Sequence, residues 1–358
     1  MSILKKVNVF RRIVTHGLTK NIGSSQKNYK IDLTQKIEIK RVLISRPNHR
    51  LGNLLLITPL VQDVITTFPD CKIDLFVKGG LAPIVFKNYT NINYIIELPK
   101  KPFKDLIDYF KVWLKIKKQK YDIVINVDKN SSSGRLSAQF ADAKYKFFGE
   151  VDENMPLKYN DYEHIAKYPV YEFRSFLTKL GFPENENPVP SLDLKLTVSE
   201  INEGQNIVQG LIKNEKETIC IFTYATSDKC YSTTWWEEFY ERLKTEYQNY
   251  NIIEILPVEN ISQIGFKAPT FYSKDVREIA SVIANTILFI GADSGIMHLA
   301  SAAKTPTIGL FSRQNINMYK PYNNNSVAID TNTGDKEDWV KTINAVLAKV
   351  RLLIENKI

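Results

Sequence analysis

Short apolar runs alternate along this chain with longer stretches in which apolar residues recur at helical spacing. Each run is bounded by polar or turn residues and is too short for a helix, which is the pattern of a buried strand. The runs lie at 41–45, 72–77, 94–98, 121–127, 218–223, 251–256, 287–290 and 307–311. Strands that alternate with helices predict parallel sheets with helical crossovers. The fold class predicted from this pattern is α/β, with doubly wound, Rossmann-like domains.

A length of 358 residues exceeds one ordinary core and fits two domains. A stretch rich in Pro and Asn, at 181–190, separates the two series of strands and marks the linker. We predict a basic extension at 1–40, domains at 41–190 and 191–335, and a C-terminal helix at 336–358.

The most informative stretch runs from 286 to 312 and reads TILFIGADSGIMHLASAAKTPTIGLFS. A predicted strand ends near Gly291, Asp293-Ser294-Gly295 forms a turn, and small residues then predict a compact helix. A helix that begins just beyond the carboxyl end of a strand presents free N–H groups and the positive end of its dipole. Such a helix suits a diphosphate.

Three interpretations compete for this turn. In the first interpretation, Asp293 or Ser294 is a helix N-cap and His298 is an ordinary hydrogen-bonded side chain. Alternatively, Ser294 is a nucleophile, but Ser294 and His298 on one helix lack the strained elbow or the separated triad of such enzymes. In the third interpretation, Asp293 binds sugar hydroxyls, the Ser294 and Gly295 N–H groups bind a diphosphate, and His298 supports them.

The string D-S-G-I-M-H-L-A-S-A-A-K-T-P-T-I-G-L-F, at 293–311, resembles the hallmark of glycosyltransferase family 9, the ADP-heptose:lipopolysaccharide heptosyltransferases. Tyr319-Lys320-Pro321 resembles the aromatic-x-Pro that closes this motif, and the resemblance covers about residues 41–325. It implies a GT-B fold, in which two Rossmann-like domains face each other across a cleft. The first domain would then bind the acceptor and the second the nucleotide-sugar donor.

The loop R-P-N-H-R-L-G-N, at 46–53, is similar to the N-terminal loop of the family. The family pattern usually has a catalytic aspartate where this chain has Asn53, and an amide cannot accept a proton near neutral pH. Inversion at the sugar carbon still requires a proton acceptor for the incoming hydroxyl. His49 is our first choice because its usual pKa suits this role, and Asp128, at the end of a strand, is the second. We expect Asn53 to orient the acceptor.

Three further segments carry binding residues by resemblance. Tyr224 to Lys229 matches the place where the family binds the donor diphosphate, which implies roles for Thr226, Ser227 and Lys229. Glu259 is expected to bind ribose hydroxyls. Ser133-Gly134-Arg135 looks like the family's S-G-R, so that Arg135 would meet a phosphate or carboxylate of the acceptor.

The net charge is +9, which favours anionic partners. Residues 1–20 predict a basic amphipathic helix that either lies on an anionic membrane or packs on the protein's own surface. The lysines between 100 and 120 are either a solvated helix face or part of the same membrane contact. No nucleic-acid motif accompanies this charge, so no nucleic-acid partner is expected.

Other functions lack their motifs in this sequence. Without a D-x-D or a His/Cys cluster we expect no metal, and without G-x-G-x-x-G or Walker A we expect neither a dinucleotide oxidoreductase nor a P-loop ATPase. The three cysteines show no C-x-x-C and fit a reducing cytoplasm. No apolar run approaches the roughly 20 residues that span a bilayer. A cytoplasmic protein, peripheral on the inner face of the membrane, is therefore expected.

By resemblance, the chain is expected to be an inverting glycosyltransferase that needs no cofactor. It would transfer a heptose or related sugar from a nucleotide-diphosphate donor, with ADP-heptose as first candidate, to a lipid-linked or lipopolysaccharide acceptor. The alternative, suggested by Asn53, is a non-catalytic paralogue that binds a nucleotide sugar or a glycolipid.

Overall fold

A computed structural model describes residues 38–99 and 106–355. Contacts divide the chain into two units. The first contains the described residues up to Arg50 together with Pro59–Pro190, and the second contains Leu51–Thr58 and the described residues from Ser191 onward. A short helix, α1 (Leu51–Leu55), thus belongs to the second unit. Apart from Glu38, Ile39 and Lys40, the predicted N-terminal extension lies outside the described residues.

The first unit contains a parallel sheet in the order β3-β2-β1-β4-β5. Its strands are β1 (Arg41–Ser45), β2 (Lys72–Lys78), β3 (Ile92–Leu98), β4 (Lys120–Asn126) and β5 (Asp142–Phe147). The accompanying helices are α2 (Thr58–Thr67), α3 (Ala82–Val85), α4 (Leu106–Lys118), α5 (Ser132–Phe140), α6 (Met155–Lys158) and α7 (Tyr168–Lys179). Leu43 and Val124 of the central strands are fully buried, which explains why these strands read as continuous apolar runs.

The second unit contains a parallel sheet in the order β11-β10-β9-β6-β7-β8. Its strands are β6 (Thr218–Phe222), β7 (Asn251–Ile255), β8 (Thr270–Phe271), β9 (Leu288–Ala292), β10 (Thr307–Phe311) and β11 (Val327–Asp330). The helices are α8 (Val198–Leu211), α9 (Thr233–Glu246), α10 (Val276–Ala284), α11 (Gly295–Ala302), α12 (Ile316–Tyr319) and α13 (Lys336–Glu355). Trp236 and Phe239 of α9 form one core cluster with Ile343 of α13.

Some elements differ from the sequence predictions. The apolar periodicity predicts one helix from Leu54 to Phe68. The structure has two helices there, because Pro59 lacks an N–H and the Thr58 hydroxyl donates to the Leu55 carbonyl at 2.7 Å. The sequence pattern also predicts a helix from Asn160 to Leu180, but this helix begins only at Tyr168, with Pro169 in its first turn. Strands β5, β8 and β11 were not predicted, since all three lie at sheet edges and lack a continuous buried run.

The order of the strands fixes where each sheet opens a crevice. Ligands of doubly wound sheets bind at the carboxyl ends of two adjacent strands whose crossovers run in opposite directions. This switch point lies between β1 and β4 in the first unit and between β6 and β9 in the second. The residues that follow these four strands are therefore the candidates for a site.

Candidate active site

Two loops bring opposite charges together at the switch point of the second unit. Lys229 follows β6 and Asp293 follows β9, and the Lys229 Nζ lies 3.1 Å from the Asp293 Oδ2. Asn315, from the loop after β10, places its Nδ2 at 3.4 Å from the same oxygen. The Asp293 backbone N–H donates to the Leu310 carbonyl of β10 at 3.1 Å. Asp293, which follows β9, is thus fixed by groups from the two strands on either side, β6 and β10.

Helix α11 begins immediately beyond this ion pair. Ser294 is its N-cap, and the Ser294 Oγ accepts a hydrogen bond from the Met297 N–H at 3.2 Å. The Ser294 side chain therefore does what the plain capping interpretation predicted. The first N–H groups of an α-helix lack intrahelical acceptors, and the helix dipole is positive at this end. Together with the ammonium group of Lys229, this arrangement favours an anion such as a diphosphate.

His298 lies on α11 and is buried, with 5% of its surface exposed. Burial lowers its pKa to about 4; the negative charge of Asp293 opposes this change and the positive charge of Lys229 adds to it. The imidazole is consequently neutral near pH 7. It lies beside Tyr319, with ring centroids 6.3 Å apart, and both residues belong to the motif quoted above.

The short helix α1 packs against α11 through glycine. A Cβ atom on Gly52 would lie 3.0 Å from the His298 Cδ2 and 3.4 Å from the Gly295 Cα, so a larger residue would push the two helices apart. Asn53 is the next residue and is partly buried. The position where the family pattern has its aspartate therefore lies in the second unit, although the predicted first domain, at 41–190, contains it.

The switch point of the first unit also contains an ion pair. The Arg46 Nη1, after β1, donates to the Asp128 Oδ2, after β4, and the Asp128 Oδ1 accepts from the Asn130 N–H at 2.9 Å. Both carboxylate oxygens of Asp128 are thus already engaged. His49 lies in the same loop as Arg46 and is exposed. The catalytic roles of His49, Asp128 and Asn53 stay predictions.

Arg135 was expected to face an anionic acceptor group, but its side chain points into the first unit. It is 7% exposed, and its Nη1 donates to the Phe148 carbonyl at 3.4 Å. Its guanidinium carbon lies 5.8 Å from the centroid of the Phe148 ring. In this structure Arg135 therefore stabilises the segment after β5, and contact with an acceptor stays a prediction.

The other predicted donor-binding residues lie in loops at the same edge of the second sheet. Thr226 and Ser227 are exposed after β6, and Ser227 has a positive φ of 63°. Asp228 forms an ion pair with Arg313, which follows β10. Glu259 is exposed in the loop after β7. These positions leave the side chains accessible to a ligand.

Sequence reasoning missed Asn315, Gly52 and Arg46 as members of these two clusters. Gly52 had a signal, since it lies in the matched R-P-N-H-R-L-G-N loop. Arg46 begins that loop and could have been noticed as the charge that follows β1. Asn315 had no signal, because its contact with Asp293 depends on how the loop after β10 folds.

Within residues 38–99 and 106–355, no three His, Cys, Asp or Glu side chains are arranged to hold a metal ion. Over the same ranges, no helix has both the length and the apolar character needed to cross a bilayer. Cys71 and Cys220 are buried and Cys230 is partly buried, and all three are free thiols.

Two solved structures identify the class of fold. A family 9 glycosyltransferase from Veillonella parvula matches with a TM-score of 0.69 and 16% identity, over 88% of this chain and 99% of that chain. The E. coli heptosyltransferase WaaC, solved with ADP, matches with a TM-score of 0.62 and 15% identity, over 86% and 99%. The chain has the two-domain α/β architecture of the GT-B fold, which confirms the predicted fold class.

Sequence comparison finds similarity to the same family. Residues 274–346, which include β9, α11 and β10, match the model of glycosyltransferase family 9 (heptosyltransferase). Lipopolysaccharide heptosyltransferase 3 of Escherichia coli is 23% identical over 300 residues, which are 77% of this chain and 85% of that protein. The lipopolysaccharide core heptosyltransferase OpsX of Haemophilus influenzae is 23% identical over 305 residues, 80% and 84% of the two chains. These matches confirm the resemblance to glycosyltransferase family 9.

Proposed function

We propose that this protein is an inverting glycosyltransferase that transfers a heptose or related sugar from a nucleotide-diphosphate donor to a lipopolysaccharide or another cell-envelope glycan. The observation that carries the proposal is the Lys229–Asp293 pair at the start of α11, at the switch point of the second sheet. The names of the relatives support heptose as the sugar and lipopolysaccharide as the acceptor. The structure solved with ADP supports an adenine nucleotide as the leaving group.

In this proposal the second unit binds the donor. The ammonium group of Lys229 and the first N–H groups of α11 neutralise the diphosphate as it leaves, which lowers the energy of the transition state. The Lys229 side chain is 26% exposed and is thus accessible to an anion. Asp293 binds hydroxyls of the sugar, the hydroxyls of Thr226 and Ser227 assist at the phosphates, and Glu259 binds the ribose.

The proton of the acceptor hydroxyl goes to His49 in this proposal, and Asn53 orients the acceptor. Asp128 is the weaker candidate, because hydrogen bonds from Arg46 and Asn130 already occupy both of its oxygens. The comparisons give no support to a non-catalytic paralogue. Asn53 nevertheless makes direct measurement of turnover the necessary test.

The test incubates the full chain with ADP-heptose and lipopolysaccharide from a strain that lacks the terminal heptoses, and measures ADP release together with the mass of the acceptor. We expect a stoichiometric gain of heptose on the acceptor. ADP-heptose binding without transfer over many hours would identify the protein as a binder. Thermal-shift measurements with ADP-, GDP- and UDP-sugars select the nucleotide, since a ligand at 100 times its Kd stabilises by about 2.7 kcal/mol.

A second test concerns the proton acceptor. His49→Gln should lower kcat by about 100-fold, within the usual range for loss of general-base catalysis, while the Kd for ADP stays unchanged. Asp128→Asn is the comparison variant and should have the smaller effect. A large loss in Asp128→Asn with an unchanged rate in His49→Gln would reassign the proton to Asp128.

The proposed function also implies where the protein works in the cell. Transfer to a lipid-linked acceptor requires the enzyme to work beside a membrane, which fits a cytoplasmic protein that is peripheral on the inner face.

A further inference from the structure

Helix α4 (Leu106–Lys118) has two apolar faces, although a surface helix ordinarily has one. Its inner face carries Ile116, which is fully buried, and Tyr109, Val112 and Trp113, which pack against the core of the first unit. Its outer face carries Ile107, Phe110 and Leu114, which are 73%, 64% and 57% exposed. At about 100° per residue, these three side chains lie within a narrow sector opposite the buried face.

Neighbouring elements widen this outer strip. Tyr94 of β3 is 48% exposed, and Phe140, at the end of α5, is 49% exposed. The Lys115 Nζ lies 5.4 Å from the centroid of the Tyr94 ring, and the Lys117 Nζ lies 5.7 Å from that of Phe140. We define the α4 surface as Tyr94, Ile107, Phe110, Leu114 and Phe140 with Lys111, Lys115, Lys117 and Lys118. It is a strip of exposed apolar groups with ammonium groups along both sides.

The charge of this surface is strongly one-sided. Between residues 106 and 120 the sequence contains five lysines and one acidic residue, Asp108, a net charge of +4. Asp108 pairs with Lys111 at 3.0 Å, and both side chains are more than 60% exposed. A helix face that only contacts water is expected to be polar. Its lysines therefore do not explain why aliphatic and aromatic side chains are exposed among them.

We propose that the α4 surface binds an anionic lipid bilayer, with Ile107, Phe110 and Leu114 inserted at the boundary between headgroups and acyl chains. Lysine suits this place, because its stem lies along apolar groups while its ammonium group reaches the lipid phosphates. Negatively charged lipids attract such a basic surface and hold the apolar side chains at the interface. This proposal goes beyond sugar transfer, because the surface would bind membranes whether or not the protein is an enzyme.

A second copy of the chain fits this surface less well. In a symmetric dimer the same surface meets itself, so the lysines of the two copies would face one another. Protein interfaces also deplete lysine relative to the rest of the surface. Nucleic acid would account for the lysines but not for exposed Ile107 and Leu114, since phosphates gain nothing from aliphatic groups.

The experiment measures co-sedimentation of the full chain with vesicles of phosphatidylcholine, with and without phosphatidylglycerol. We expect binding only to the anionic vesicles, and a loss of at least about tenfold in partitioning when Ile107, Phe110 and Leu114 are all replaced by Ser, since both apolar burial and charge contribute to such binding. Replacing Lys111, Lys115, Lys117 and Lys118 by Gln should cause a comparable loss.

Matched controls change equivalent groups in the second unit. Leu352→Ser with Leu353→Ser removes two aliphatic side chains that are 58% and 52% exposed on α13. Replacing Lys213, Lys216, Lys274 and Lys349 by Gln removes the same number of charges. Both controls should retain binding, and all variants should keep the thermal midpoint of the parent because the altered side chains are exposed.

Several outcomes would overturn the proposal. Full vesicle binding by both α4 variants would place the membrane contact elsewhere in the chain. Equal loss in the four-lysine control would show that net charge, and not this surface, controls binding. Concentration-dependent dimerisation, or binding to DNA or RNA, that disappears in the α4 variants while vesicles are ignored would assign the surface to that partner.

Discussion

The two switch points each contain an ion pair, but they differ in which partner, the cation or the carboxylate, is buried. Each holds an ion pair between the loops after two central strands, Arg46–Asp128 in the first unit and Lys229–Asp293 in the second. In the first unit the cation is the buried partner, with side chains 9% and 28% exposed for Arg46 and Asp128. In the second the carboxylate is the buried partner, with 26% for Lys229 and 7% for Asp293. The first crevice thus presents a carboxylate and the second an ammonium group.

The helices that follow the two ion pairs, α11 and α5, also lie at different distances along the chain from their strands. Only Asp293 and Ser294 separate β9 from α11, so the positive end of that helix lies at the edge of the sheet. Residues 127–131 separate β4 from α5 in the first unit. The two folds therefore differ in which partner of the ion pair is exposed at the crevice, and the exposed ammonium group of the second favours an anion such as a diphosphate.

The largest effect that tests this contrast is expected from Lys229→Ala. We expect kcat/KM with the nucleotide-sugar donor to fall by about 1000-fold, since removal of one group that stabilises transition-state charge costs about 100- to 1000-fold and Lys229 also contributes to binding. Arg46→Ala, which removes the cation of the first pair, should leave the Kd for ADP unchanged. Calorimetric titration with ADP and steady-state rates measure both.

If Arg46→Ala weakened ADP binding as much as Lys229→Ala, the proposed difference between the two switch points would be wrong. Lys229→Arg is a useful third variant, because it keeps the charge beside Asp293. Substantial recovery of ADP affinity in Lys229→Arg would show that charge is what the donor needs at this position.

The second prediction concerns the pH dependence of stability that is caused by His298, at the second switch point. Its pKa is near 6.5 when unfolded and about 4 when folded, because burial disfavours the charged imidazole. The unfolded chain therefore binds a proton between these values while the folded protein does not, and the free energy of unfolding should fall as the pH decreases from about 6.5 to 4. At 1.36 kcal/mol per pKa unit, the contribution of His298 is roughly 3 kcal/mol at most.

Urea unfolding of the parent and of His298→Gln at pH 7 and pH 4.5 measures this contribution. The carboxylates are common to both proteins, so the difference between the two pH dependences belongs to position 298. We expect the variant to lose less stability on acidification than the parent. Parallel curves would contradict a buried, neutral imidazole at this place.

The sequence predicted the strands that are covered on both faces, because burial imposes continuous apolar runs on β1, β4, β6, β9 and β10. It missed β5, whose residues Asp142 to Phe147 mix charged and apolar side chains at a sheet edge. The break between α1 and α2 depended on the Thr58 hydroxyl and Pro59, and a periodic pattern does not reveal such local hydrogen bonding.

For the site, the sequence identified the two partners of the second ion pair but not the pair itself. Lys229 and Asp293 were assigned to phosphate and sugar separately, and only the packing of β6 beside β9 places them 3.1 Å apart. The S-G-R motif does not show which way the Arg135 side chain points, and in the structure this side chain is buried. The contact of Gly52 with Gly295 joins residues far apart in the chain, so no local pattern revealed it.

The smallest effect is expected from Gly134→Ala, which tests whether the Ser133-Gly134-Arg135 segment has a structural role. A Cβ atom at this position would lie 2.0 Å from the Asn126 Oδ1, and Asn126 is fully buried at the end of β4. The Asn126 Nδ2 donates to the carbonyls of Asp128 and Phe148 at 2.9 and 2.8 Å, so the side chain cannot move without breaking these bonds. We expect Gly134→Ala to destabilise the first unit by about 2 kcal/mol, in the range for overpacking.

Gly80→Ala is the matched control, because a Cβ atom there would meet nothing within 4 Å. Its effect should stay within about 0.5 kcal/mol. Hydrogen exchange of peptides from β4 and α5, followed by mass spectrometry, measures both changes in the unit concerned. Faster exchange in Gly134→Ala alone would mean that this glycine maintains the crevice of the first unit through Asn126. Unchanged exchange with a loss of transfer to the acceptor would instead mean that the glycine leaves space for the acceptor, and the first switch point would then be a binding site in its own right.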